Sequence, residues 1–434
     1  MLSAVTRARA VSRTWWVWAG IALLGYAAAT FTIAEADLWG HLRFGLDLLR
    51  DRHLPSIDPY SFTQDRPWIN HEWLSELVMA IAYRIGGVAG LVLLKGAMVF
   101  ATFAIVWGAL RDVHLGARAA LMALMYVGTV HATSSFRPQV WTFLFVAVLV
   151  RVLAEDRSRR FLPLLFVVWV NAHGGWIVGL GVLAAWAGAE AFLDRRTAPR
   201  WAMVVAACVL ATLVNPYGFG LWRFIRETVG FSRDIREWLP LFSNPIDVWA
   251  PWVIVTIGVI ALASTPHRHR LAALAVSAML AYASFRVMRI SSLFLIAAIV
   301  ALAPAIAHRL PVKLTSLPAP RPRGEGIAVA LMFAASLACA AWAMQRTAAC
   351  ILITGSWAPS PVPVRMLMQA PAGRLVAYFD WGQYAIWHLG PRISVAIDGR
   401  RETVYSDARL ADDRAIVAGG ARGVARRAEW APEY

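Results

Sequence analysis

The chain is a succession of apolar stretches, each long enough or nearly long enough to cross a hydrocarbon layer of about 30 Å, and this limits its fold more than any other feature. They centre on residues 14 to 34, 88 to 110, 119 to 135, 138 to 154, 161 to 172, 174 to 193, 201 to 215, 249 to 264, 271 to 285, 288 to 307 and 326 to 344. A bilayer offers no water to main-chain polar groups, so apolar segments of this kind are stable in it as helices. The sequence therefore reads as an all-α polytopic membrane protein with about eleven transmembrane helices. Hydrophobic residues make up 59% of the 434 positions, more apolar surface than a soluble domain hides.

Charge sets the orientation. A net charge of +16 would suggest nucleic acid as partner of a soluble protein. Here the basic residues lie mainly in short loops between apolar stretches, so membrane orientation explains them and no nucleic-acid partner is expected. Arg7, Arg9 and Arg13 precede the apolar run from Trp15 to Thr32, which is too long for a signal peptide and lacks a small-residue cleavage site. It reads as a retained first span with a cytoplasmic N-terminus. Every second connection is then basic: Arg111 and Arg118; Arg157, Arg159 and Arg160; Arg195, Arg196 and Arg200; Arg268 and Arg270; Arg309, Lys313, Arg321 and Arg323. This is the pattern of cytoplasmic loops in a multi-pass protein of a bacterial-type cytoplasmic (inner) membrane. Cys208, Cys339 and Cys350 form neither a disulfide framework nor a C-x-x-C pair.

The remaining connections differ in kind. They are residues 35 to 87, Phe136 to Gln139, Asn171 to Trp176, Asn215 to Trp249 and Phe285 to Arg289, and they gather Gly, Pro, Trp and polar side chains on the outer side. The first reads as structured. His41 to Arg50 puts Leu42, Leu46 and Leu49 on one stripe, and Asn70 is placed to cap a second helix carrying Leu74, Leu77, Val78 and Ile81. Both read as interfacial helices, with Gly86 and Gly87 ending the second. Between them, Pro55 to Thr63 is turn-rich.

This acidic first outer loop, followed by many spans and an outer C-terminal segment, resembles the GT-C superfamily of membrane glycosyltransferases. The motifs that carry the likeness are Asp37-Leu38-Trp39 with His41-Leu42, Asp58 to Thr63, and Trp68 to Leu74. In this short form they look like bacterial relatives of the protein mannosyltransferase and lipid A sugar transferase kind. The resemblance implies transfer of a sugar from a polyprenyl-phosphate-linked donor, at the outer face, to a glycan, lipid or protein acceptor, with inversion at the anomeric carbon. Family members commonly carry two adjacent acids after the first span, whereas Ala36 separates Glu35 from Asp37 here.

Such a reaction has a good leaving group and chiefly needs a carboxylate to take the acceptor's proton. Asp37 is the first candidate for that base, with Glu35 or Asp58 as substitutes, while a cap for the helix beginning near Leu38 explains Asp37 equally well. Glu35, Asp37 and Asp58 are the oxygen donors for a divalent cation, should one be used. Arg137, Arg286 and Arg289 are candidates for the donor phosphate, with interfacial snorkelling as the plainer explanation of each. Lys95 lies inside the second span, where an ionisable group is costly and often functional. His41, His71 and Glu72 are read as facing the site, and His71 to Glu76 is not a zinc motif because Ser75 stands where H-E-x-x-H needs its second histidine. Gly174 and Gly175 make a tight turn expected to leave His173 and Trp176 at a cavity mouth, Trp176 being placed to stack on a sugar or to anchor at the interface. Asn215 to Gly218 and Arg233 to Trp238 punctuate another long outer loop.

Two units are expected: a transmembrane module over residues 1 to 344 and a small outer α/β domain over 345 to 434. Strand-like runs at Arg374 to Phe379 and Ile393 to Ile397 flank a helical Gly382 to His388, with no evident closing element at the end. Asp380 to Tyr384 and Asp398-Gly399-Arg400 fall at turns. Two other classes remain open: a transporter or flippase of a lipid-linked or amphipathic substrate, and a non-catalytic envelope-assembly protein anchored by its spans. No internal repeat supports the first.

Overall fold

A computed structural model describes residues 2 to 228, 235 to 312, 325 to 354 and 357 to 434. Arg233, Asp234, Lys313, Arg321 and Arg323 lie outside the described residues. Helix α1 (Leu2–Ala29) leads into strand β1 (Ile33–Ala34) and then α2 (Leu38–Asp51). A long α3 (Trp73–Ala109) breaks at Gly87, whose φ of 57° and ψ of −140° are helical for no residue. The expected interfacial helix and second span are thus joined through a glycine that tolerates positive φ.

The bundle continues with α4 (Leu115–Thr133), α5 (Gln139–Ala154), α6 (Leu162–Ala172), α7 (Trp176–Leu193), α8 (Ala198–Ala211), α9 (Phe219–Thr228), α10 (Ile246–Leu262), α11 (Arg270–Arg286), α12 (Ser291–Ala301), α13 (Ala303–Arg309) and α14 (Glu325–Ala349). Among the described residues, four helices are long and apolar enough to cross a membrane: α3, α4, α7 and α14. The pair α12 and α13, bent by 55°, makes a fifth if it is one span. This falls short of about eleven. The reason is length. At about 1.5 Å per residue, the 11-residue α6 reaches only some 16 Å, although ten of its residues are apolar. Every residue of α12 is buried, so its apolarity serves protein packing. Phe294, Phe166, Trp169, Trp186 and Leu183 meet in the core that α5, α6, α7, α11 and α12 share.

Beyond α14, strand β2 (Leu352–Ile353) pairs in parallel with β1, Ile33 opposite Leu352. Then come α15 (Pro361–Gln369), β3 (Gly373–Leu375), α16 (Gly382–Leu389), β4 (Ile393–Val395), α17 (Asp407–Ala418) and α18 (Gly420–Trp430). Strands β3 and β4 pair in parallel, with α16 between them in sequence and packed on β4. The end of the chain is tied in, the Val376 N–H donating to the Tyr434 carbonyl at 3.1 Å.

This last segment shares a core with the first loop. Phe44 and Trp68 pack among Ile386, Ile393, Val395, Ile397 and Tyr405. The turn-rich stretch after α2 also runs alongside β4: the Phe62 N–H donates to the Val395 carbonyl and the Val395 N–H to the Tyr60 carbonyl, both at 3.1 Å. On the other side α2 lies so close to α3 that a Cβ at Gly45 would overlap the Glu76 carbonyl. Helix α2 is thereby held between α3 and the C-terminal segment, which fixes its N-terminus.

Candidate active site

The site forms where α2 begins. Asp37 occupies the N-cap position of α2, yet its side chain makes no capping bond. Among the described residues no hydrogen bond or ion pair reaches its carboxylate at all. Burial pushes its pKa up to about 6; the positive charge of His41 opposes this, and Glu237, Glu72 and Asp398 add to it. A carboxylate kept without partners in an acidic, half-buried setting can take up a proton near neutral pH.

His41, one turn further along α2, answers in the opposite sense. Burial works against its charge, but a 3.0 Å hydrogen bond from Nδ1 to Glu76 Oε1, with Glu72 and Asp37 nearby, raises its pKa to about 9. It is an imidazolium at neutral pH, with Nδ1–H spent on Glu76 and Nε2–H without a partner among the described residues. Glu76 is fixed in turn by Asn70, whose Nδ2 donates to Oε2 at 2.5 Å. Asn70 sits two residues before Glu72, the N-cap of α3; its Oδ1 accepts the Glu72 N–H at 3.2 Å while its Nδ2 anchors an acid of the first turn.

Glu72 joins a second group. The Trp169 indole N–H donates to Thr142 Oγ1 at 2.9 Å, Thr142 donates to His173 Nδ1 at 2.8 Å, and the Gly175 N–H also donates to that nitrogen at 3.0 Å. With Nδ1 accepting twice, the proton of the neutral ring lies on Nε2, 3.6 Å from Glu72 Oε1. Burial drives the His173 pKa down to about 3. His71 Nε2 is 3.8 Å from the same oxygen. Burial would raise the Glu72 pKa, and the surrounding histidines hold it below the usual range.

The third group is a chain of alternating charge. Arg137 lies between Glu35, which it pairs with through Nη2, and Glu237 Oε1 at 2.5 Å from Nη1. Arg289 donates from Nε to Gln139 Oε1 at 3.0 Å, with Glu237 Oε2 at 3.9 Å. Burial would raise the Glu237 pKa, but Arg137 and Arg289 outweigh it and hold the acid ionised.

Several residues stand elsewhere than expected. Trp176 is fully buried and packs edge-on against Trp222, ring centroids 5.0 Å apart, so it is no wall of a cavity mouth. Its position in the first turn of α7, below the glycine turn, points the indole into the helical core. Asp58 is also sealed away: Arg400 donates to its Oδ1 at 2.6 Å and Oδ2 at 2.8 Å, Ser61 donates to it, and the guanidinium is boxed by Phe44, Tyr60 and Trp68. Glu35 is taken up by Arg137. The oxygen set Glu35, Asp37 and Asp58 is thus dispersed, two of its members neutralised by arginine, and among the described residues no group of three His, Cys, Asp or Glu side chains fits a metal ion. Lys95 is buried under α1 and α4, donating to the Phe31 carbonyl and, at 3.0 Å, to the Thr133 carbonyl. Arg286 is exposed at the last residue of α11.

The C-terminal segment supplies what sequence alone did not assign. A Cβ at Gly399 would overlap Asp37 Oδ1, and one at Gly40 would overlap Gln383 Oε1. Gln383, from the first turn of α16, and the Asp398–Arg400 turn therefore form a wall of the Asp37 site. The available signal was the turn motif itself, Asp398-Gly399-Arg400, which carries no address in sequence.

No protein-family profile matches the chain, and no curated protein sequence does. Solved structures do. The oligosaccharyltransferase AglB of Archaeoglobus fulgidus, in complex with an inhibitory peptide and a dolichol-phosphate, superposes with a TM-score of 0.57 over 89% of this chain at 11% identity. The chain is similar in fold to AglB. A second structure of the Archaeoglobus fulgidus oligosaccharyltransferase, tethered to an acceptor peptide containing the NVT sequon, gives 0.55 over 89% at 10% identity. The chain spans 64% of the length of each AglB chain. At such identity the likeness is one of fold, and residue roles rest on the geometry above.

Proposed function

We propose that the protein is a membrane glycosyltransferase of GT-C type, which transfers a sugar from a polyprenyl-phosphate-linked donor to an acceptor at the outer face of the membrane. The observation that carries this reading is the Asp37 carboxylate, unpaired among the described residues and pushed up to about 6, while Glu35, Asp58 and Glu237 are each bound by arginine. The AglB-like fold and the dolichol-phosphate in one AglB structure favour a lipid-phosphate donor.

In this account an acceptor hydroxyl or amide attacks the anomeric carbon from the face opposite the phosphate. Asp37 takes the acceptor's proton, the bond from the anomeric carbon to the phosphate oxygen breaks, and the phosphate leaves with the electron pair. Attack from the opposite face inverts the anomeric centre. The His41 imidazolium, its Nε2–H uncommitted, and Arg289 supply positive charge for the leaving phosphate. Glu72 and His173 orient the floor of the site. No step is assigned to a metal ion, because the dispersed oxygen set does not fit one.

The reading is tested by incubating the purified protein with a panel of polyprenyl-phosphate sugars and following release or transfer by mass spectrometry. Turnover of at least one donor by wild type and its loss in Asp37→Asn support it. A protein that moves such lipids between leaflets without cleaving any of them is a flippase, and the reading falls.

A further inference from the structure

Asp37 and Gly399 touch across almost the whole chain, and neither position explains the contact alone. The Asp37 oxygen Oδ1 occupies the place that a side chain at 399 would take, and Gln383 Nε2 lies 2.8 Å from that same point. Gln383 is buried, and its Oε1 has no hydrogen-bond partner among the described residues. It packs flush against Gly40, in the first turn of α2. Two glycines therefore let α2 and the C-terminal segment close around one carboxylate.

The turn that presents Gly399 is itself anchored. Asp398 accepts from the Arg400 N–H and Nε at 2.9 Å each, from Arg400 Nη2 at 2.6 Å and from the Tyr405 hydroxyl at 2.7 Å. Arg400 in turn grips Asp58 of the first loop. Aromatic rings of Phe44, Tyr60 and Trp68 surround that guanidinium.

We infer that Gly399 and Gln383 are positioning residues for the Asp37 base: docking of the 398–400 turn onto the first loop, latched by Arg400 on Asp58, sets where the carboxylate points and shields it from water. The absence of a side chain at 399 is then a requirement of the reaction. A methyl group there would displace Asp37 toward solvent without removing any charged group. This inference rests on the glycosyltransferase reading and goes beyond it by assigning part of the site to residues more than 340 positions downstream of the base.

The test compares full-length wild type, Gly399→Ala, Gln383→Ala and Asp37→Asn in detergent, using the polyprenyl-phosphate sugar that wild type turns over. Melting temperature and a pH profile of kcat/KM are recorded for each. An ångström of displacement at a reacting group costs on the order of a hundredfold, so Gly399→Ala is expected to lose turnover on that scale. Its acidic limb is expected to move down from about 6 toward the ordinary carboxylate range, as Asp37 gains water. Gln383→Ala adds no bulk, and its acidic limb moves in the same direction. If Gly399→Ala does not fold, the Gln383→Ala limb decides. Wild-type rate and an unmoved limb in the folded variants, with Asp37→Asn inactive, overturn the positioning role and leave the reading intact. An Asp37→Asn protein as active as wild type removes the reading, and this inference falls with it.

Discussion

Arg400 reaches back across 342 residues to donate to both oxygens of Asp58, at 2.6 and 2.8 Å, in a pocket walled by Phe44, Tyr60 and Trp68. The fork matches the carboxylate oxygen for oxygen, and Asp398 accepts from Nε and from Nη2 of the same guanidinium. Such a pair is costly to bury and more costly to break, because the surviving partner is left charged and unpaired.

Removing one partner is therefore expected to destabilise the protein strongly. Asp58→Ala should cost about 3 to 5 kcal/mol, read as a fall in melting temperature. Asp65→Ala, which loses partly exposed bonds to Ser406, should cost about 1 kcal/mol. Equal losses in the two variants would show that the Asp58–Arg400 pair is not the principal tie.

The two titrations at the start of α2 predict a bell-shaped pH dependence. Asp37 must be ionised to accept a proton, so turnover should rise through about pH 6. His41 must keep its charge, so turnover should fall through about pH 9. His41→Gln should lower the rate, remove the alkaline limb and move the acidic limb upward, because the positive charge that holds the Asp37 pKa down is gone. A profile whose alkaline limb survives this change assigns that limb to another group.

The same shifts have consequences for stability, and their signs differ from the common carboxylate case. The folded pKa of Asp37 lies above its ordinary 3.8, so the folded state holds a proton that the unfolded state releases, and stability falls as pH rises from about 4 to about 6. Asp37→Asn should therefore raise the melting temperature at pH 8 and lose that advantage below pH 4. His41, raised from 6.5 to about 9, stabilises fully below about pH 6.5, and its contribution is lost as pH rises through 9. His41→Gln should cost more stability at pH 6 than at pH 10. Differential scanning of both variants across pH checks each sign.

Glu35 is one of the acids that sequence left as alternatives to Asp37. Its pairing with Arg137 makes it a poor base, so Glu35→Gln should reduce turnover about tenfold or less through Arg137, whereas Asp37→Asn should remove the proton acceptor altogether. A Glu35→Gln protein as inactive as Asp37→Asn would reverse the assignment.

What sequence made legible was local. The helical stripe of Leu42 to Leu49, the break at Gly87 and the gathering of the His71, Glu72 and His173 motifs depend on period, turn chemistry and loop alternation, all read within a few residues. What it hid was whatever long-range packing decides. Apolar α6 looked like a full span because hydropathy does not show where a helix stops, and its 11 residues are too few to cross a membrane alone. Asp58 looked like a site acid because nothing near it announces Arg400. Asp37 at the head of α2 was equally consistent with capping, and the missing capping bond and the close approach of Gly399 come from packing that sequence does not show.

The most direct measurement is the rate of sugar transfer from a polyprenyl-phosphate donor by wild type and Asp37→Asn, compared at pH 8 after both are shown to fold. The account predicts a loss of about 10²- to 10⁴-fold in Asp37→Asn, with a melting temperature at least equal to that of wild type. Retained transfer in Asp37→Asn would contradict it.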